Sequence, residues 1–120
     1  MNLKLNCGEF EKNIYDETDC TTLYMIPELS RPGIQYIFKF DNNYGASVIK
    51  RSGSYGYEED LWEIGFISFD ENNDWHLDYD VTGANGKKEF FDDIFRSDVV
   101  EGFLSEKDVM NILRRIRDLS

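Results

Sequence analysis

The sequence predicts an α+β fold: a twisted antiparallel sheet of four or five strands in largely sequential order, with a C-terminal helix packed on one face. Two patterns and one composition carry that prediction. Apolar side chains alternate with polar ones from Ile34 to Phe40 and again from Trp75 to Tyr79, and turn residues bound both runs, as in hairpin strands. Near the end the period changes, and Val109, Ile112, Leu113, Ile116 and Leu119 recur at helical spacing. The chain has 120 residues, the size of one domain, and its nine Phe, seven Tyr and two Trp supply the large side chains such a core needs.

Residues 1–30 are the least readable part, although Cys20 to Ile26 has the β-branched and aromatic content of a strand that Pro27 ends. Pro32-Gly33 punctuates the chain, and the sheet is expected within residues 34–80. Ile34, Tyr36, Phe38 and Phe40 share one face of the first clear strand, with Gln35, Ile37 and Lys39 on the other. Asp41 to Gly45 supplies turn residues that lead into Ala46 to Lys50, so the two runs form a hairpin. Arg51 to Asp60 reads as a loop. Leu61 to Phe69 carries Trp62, Ile64 and Phe66 on one side and Ile67 and Phe69 on the other, and a strand apolar on both faces belongs in the middle of a sheet. After a turn at Asp70 to Asp74, alternation puts Trp75, Leu77 and Tyr79 on one side and His76, Asp78 and Asp80 on an acidic outer face. Both tryptophans are expected in the core.

Val81 to Gly86 reads as a turn, and Lys87 to Phe95 as two helical turns with Phe90, Phe91, Ile94 and Phe95 on one side. The last helix, within residues 105–119, opens with Ser105 as N-cap and Asp108 at the capping-box position.

Charge narrows the classes of function. Thirteen basic against 24 acidic side chains give a formal net charge of −11, which argues against direct nucleic-acid binding, because phosphate contacts need clustered cations. The one basic cluster, Arg114, Arg115 and Arg117, stands in the last turns of the final helix, where cations complement the macrodipole. No Lys or Arg occurs between Ser52 and Gly86, whereas nine Asp and Glu do, so this stretch would steer a basic protein surface toward it. No apolar run approaches the ~18 residues of a membrane span, and Met1 to Cys7 lacks the apolar stretch of a secretory signal. The expectation is a cytoplasmic protein without a membrane partner. Cys7 and Cys20 are read as free thiols, with no second pair to build a zinc site and no cofactor implied.

Few residues form a constellation with chemistry. Asp70, Asn72 and Asp74 reproduce the opening of a calcium loop, but Trp75 stands where the sharp turn takes Gly and Val81 where the bidentate Glu belongs. His76 is the only histidine, so any nucleophile–histidine pair must use it, and its setting on a strand fits a hydrogen-bonded surface residue. The glycines form no phosphate-binding motif. The loop Arg51 to Asp60 is rich in Tyr and Gly, a composition of contact surfaces, which makes Tyr55, Tyr57, Glu58, Glu59 and Asp60 the candidate binding residues.

Taken in order, Tyr44-Gly45-Ala46-Ser47-Val48-Ile49, Ser54-Tyr55-Gly56, Leu61-Trp62-Glu63, Asp78-Tyr79-Asp80 and the Val100 to Leu104 step before the terminal helix resemble a group of small phage- and prophage-encoded proteins with no assigned activity. The likeness covers about residues 34–119, and Gly83 to Phe95 is longer than the link in that group. The resemblance implies an accessory phage product in a host-cell cytoplasm, without cofactors. Together these readings lead to a non-catalytic protein that binds a host or defence protein with a basic surface, in the manner of an acidic decoy of nucleic acid. Two other classes stay open: a small carboxylate- or metal-dependent hydrolase around Asp70 to Asp80, and a homo-oligomeric virion or assembly component built on an exposed sheet edge.

Overall fold

A computed structural model of the chain describes residues 3–5, 22–27, 33–95 and 98–120. Within them the fold is α+β, with seven strands in one antiparallel sheet and the C-terminal helix on one face. Strands β1 (Leu3–Leu5), β2 (Thr22–Pro27), β3 (Gly33–Lys39), β4 (Tyr44–Arg51), β5 (Trp62–Phe69) and β6 (Trp75–Leu77) follow one another as neighbours. The five expected strands are β2 to β6. Short β1 extends the sheet beyond β2, and β7 (Val100–Leu104), which the sequence does not announce as a strand, pairs with β5. Cys7 and Cys20 lie outside the described residues.

The register follows the side-chain alternation. Tyr36 stands opposite Val48 and Phe38 opposite Ala46, while Val48 and Ala46 in turn oppose Ile64 and Phe66 on β5. These residues therefore share one face, and all of them are buried with Phe40 and Trp62. Helix α1 (Lys87–Phe90), its π-helical continuation (Phe91–Phe95) and helix α2 (Glu106–Arg117) contribute Phe90, Phe91, Phe95, Val109, Ile112, Leu113 and Ile116 to the same core. Phe66 is its aromatic hub, with the Phe91 ring edge-on at 5.2 Å and the Phe90 ring at 5.5 Å. On the opposite face Ile37, Ile67 and Phe69 form a small second cluster, so β5 is apolar on both sides and central.

Helix α2 begins as expected. The Ser105 hydroxyl accepts from the Asp108 N–H and the Asp108 carboxylate accepts from the Ser105 N–H, each at 3.1 Å. Its far end is held by the β3–β4 turn: Asn42 Nδ2 donates to the carbonyls of Ile116 and Leu119, both at 2.8 Å. One side chain thus ties the hairpin to the helix terminus. No helix among the described residues is long and apolar enough to cross a membrane.

The outer side of β5 is shared end to end. β6 pairs along Ile67 to Phe69 and β7 along Trp62 to Gly65, and Phe66 marks the fork, its N–H donating to Val99 O and its carbonyl accepting from the Asp78 N–H. Here the alternation from Trp75 to Asp80 does not divide buried from exposed, since His76 and Asp80 are exposed as expected. Trp75, Leu77 and Tyr79 are exposed, Trp75 is not a core residue, and Asp78 is the buried member. The cause lies nine residues downstream, where Lys87 at the start of α1 is 2% exposed and needs a carboxylate. Asp78 Oδ2 accepts from Lys87 Nζ at 3.1 Å, and the ammonium also sits 4.7 Å from the Tyr44 ring centroid.

Candidate functional site

The run of carboxylates between Ser52 and Gly86 does not form one patch. Glu58, Glu59, Asp60 and Glu63 stand before or at the start of β5, whereas Asp70, Glu71, Asp74, Asp78 and Asp80 follow its end. An eight-residue strand, roughly 23 Å long at about 3.3 Å per residue, separates the two groups.

At the far pole the carboxylates of Asp70, Asp78 and Asp80 are engaged within the fold, while Glu71 and Asp74 stand exposed in the turn. Asp70 Oδ1 accepts from the N–H groups of Asn72 (2.9 Å) and Asp74 (3.0 Å), so the calcium-like spacing folds as a hairpin turn, with Asn73 at φ 66°. Among the described residues no three His, Cys, Asp or Glu side chains gather as a metal-binding group. His76 is exposed, and its Nε2 lies 3.3 Å from the Ser68 hydroxyl. Asp80 accepts from both the hydroxyl (2.7 Å) and the N–H (2.9 Å) of Thr82. Those two bonds, with Lys87 adding attraction, hold its carboxyl below the ordinary aspartate range.

The near pole carries the predicted binding residues, and its geometry is of another kind. Gly56 at φ 95° opens a turn of 3₁₀ helix, Tyr57–Glu59, that Asp60 closes at φ 61°. This turn exposes Glu58, Glu59 and Asp60, but leaves Tyr57 only half-exposed. Asp60 pairs with Lys50 at 3.1 Å, and Lys50 Nζ lies 4.2 Å from the Trp62 ring centroid. The Glu58 and Glu59 carboxylates make no hydrogen bond or ion pair to another described residue. Tyr55 is 64% exposed, and its N–H donates to Glu63 Oε1 at 3.0 Å.

Beside Tyr55 stands a residue that the loop composition does not reveal. Phe103, on β7, is 58% exposed with its ring centroid 6.5 Å from that of Tyr55, and its N–H donates to the Tyr55 carbonyl at 3.3 Å. Its backbone sits at φ 57°. The register explains why: Trp62 opposes Leu104 and Ile64 opposes Glu101, so β7 spends one residue more than β5 and bulges. Where a bulge does hold a left-handed residue it is ordinarily Gly, and a bulky side chain in that conformation is strained by of order 1–3 kcal/mol. Gly102 is required for closeness instead, since a Cβ there would stand 2.3 Å from Tyr55 Cβ. No family model matches the chain, and no curated protein or solved structure is significantly similar to it. The site therefore has to be read from its own chemistry. Tyr55, Tyr57, Glu58, Glu59 and Phe103 line a hollow of 240 Å³ in which two aromatic faces meet two carboxylates. Ring faces and carboxylates both attract Lys and Arg side chains. Alternation alone would put Phe103 on the side of Glu101, but the bulge between Glu101 and Leu104 sends the two to different hollows, so the pattern gives no signal for Phe103.

Proposed function

We propose that this protein is a non-catalytic binding module that grips a basic surface of a partner protein with Tyr55, Phe103, Glu58 and Glu59. The observation that carries the reading is Phe103: an exposed ring held at a left-handed bulge position costs stability, and nothing inside the fold repays it. The two free carboxylates give the partner its sign. The resemblance to small phage-encoded proteins supports a host or defence protein as that partner, and the acidic field around the platform supports rapid, salt-dependent encounter.

The test is capture from host-cell lysate at low and high salt, comparing the parent with two variants. One joins Tyr55→Ala to Phe103→Asn, and the other joins Glu58→Lys, Glu59→Lys and Asp60→Lys. The parent is expected to retain a basic protein that the aromatic variant loses at both salts. The charge variant should associate with that protein at least about tenfold more slowly at low salt and lose most of the salt dependence. Retention unchanged in both variants would sink the reading.

A further inference from the structure

A larger cavity than the Tyr55 hollow lies on the other flank of β7. It is a groove of 450 Å³ between the π-helical turn, β7 and the first turns of α2, with Ile94, Leu104 and Ile112 as its apolar floor. That volume falls within the range of ligand-sized sites, whereas the hollow at Tyr55, at 240 Å³, falls below it. The floor is accessible because of the helix geometry. In an α-helix Ile94 would sit beneath Phe90, but in a π-helical turn the residue beneath is Phe95, five positions on. The Phe90 and Phe95 rings meet edge to face at 5.4 Å in the core, and Ile94 is left half-buried at the groove.

Among the described lining residues the charged ones are all acidic. Asp93, Glu101 and Asp108 surround the floor. Asp108 serves the helix cap, its carboxylate accepting from the Ser105 N–H. Glu101 has no side-chain partner among the described residues. Asp93 pairs with Arg115 at 2.9 Å, but both side chains are well exposed, and such a pair exchanges partners at little cost. A second copy of this chain, at net charge −11, would be repelled, as would any phosphate surface.

We propose that this groove docks a basic amphipathic segment of a partner protein. An apolar side chain of the segment seats on Ile94, Leu104 and Ile112, while flanking Lys or Arg side chains meet Glu101, Asp108 and, in exchange for Arg115, Asp93. The proposal rests on the reading that the partner is basic, but it concerns a different face of β7 from the Tyr55 platform and is measured separately.

The experiment titrates the ¹⁵N-labelled full chain with a synthetic amphipathic peptide of Leu, Lys and Arg at helical spacing, and with a control in which Glu replaces every Lys and Arg. Amide shifts are expected at Ile94, Glu101, Leu104, Asn111 and Ile112 with the basic peptide only. Glu101→Lys, a surface change whose folded spectrum can be checked directly, should weaken binding by about tenfold, and Glu71→Lys, on the exposed Asp70 to Asp74 turn, should leave it unchanged. Shifts confined to the Tyr55 platform, equal binding of the acidic peptide, or full affinity in Glu101→Lys would overturn the proposal. Groove binding that survives while lysate capture fails would count against the platform and leave the groove standing.

Discussion

At one end of β5 a lysine lies 2% exposed, and at the other two aromatic rings stand 64% and 58% exposed. Each breaks the rule of apolar inside and polar outside, in opposite senses. The buried charge is answered from within, by Asp78 and the Tyr44 ring, and its surroundings close on themselves. The exposed rings are answered by nothing in the fold except each other and the backbone that strains to present them. An irregularity that is satisfied internally belongs to architecture, whereas one left unsatisfied at the surface points outward to a partner. That contrast, rather than the count of carboxylates, separates the two acidic poles.

The largest expected effect tests the first half of the contrast. Asp78→Ala strands a buried ammonium, and urea unfolding should register a loss of about 3–5 kcal/mol. Replacing both partners with apolar residues, Asp78→Leu with Lys87→Met, removes the charge along with its need, and should recover most of that loss or exceed the parent. Equal destabilisation in the two variants would mean that packing, and not an orphaned charge, holds this end of the sheet.

The second half makes a prediction of opposite sign. Phe103→Asn places at φ 57° a residue that tolerates the left-handed region, so stability should rise by roughly 1 kcal/mol while the platform loses a ring. A variant that is more stable and binds less well is the signature of strain kept for function. A fall in stability of more than about 2 kcal/mol would instead make Phe103 a structural residue and remove the reason to look for a partner there.

The same contrast marks what the sequence can disclose. Strand β3 and helix α2 are legible because their apolar residues recur at periods of two and 3.6, β2, β4 and β5 through their apolar, β-branched and aromatic content beside turn signals, and the α2 cap because Ser105 and Asp108 are three apart. Alternation from Trp75 to Asp80 fixes which residues share a side but not which of them is buried. The tie is broken by Lys87, whose burial depends on a contact across nine residues that no local pattern encodes. Tyr55, Glu58 and Glu59 stand in a loop of recognisable composition, but their aromatic neighbour arrives from β7, 48 positions after Tyr55, through a bulge in a five-residue strand too short to announce itself.

The smallest effect concerns the solvent-exposed rim of the Lys87 pole. Thr82→Val removes the hydroxyl donor to Asp80 and leaves the backbone bond, so the Asp80 titration followed by NMR should move up toward the ordinary value of 3.8. A carboxyl held low in the folded state contributes stability that is complete above its unfolded pKa and is lost as pH falls through the folded one. Parent and variant should therefore differ in a way that fades only below about pH 4, the unfolded aspartate value. At neutral pH the variant should keep the Lys87–Asp78 pair intact, because Asp80 is fully exposed and touches that pair only through a weak attraction to Lys87. If Thr82→Val instead loosened the protein at neutral pH as far as Asp78→Ala does, the closed pole would extend to the surface, and the boundary between architecture and outward-facing chemistry would have to be redrawn on this side of β5 as well.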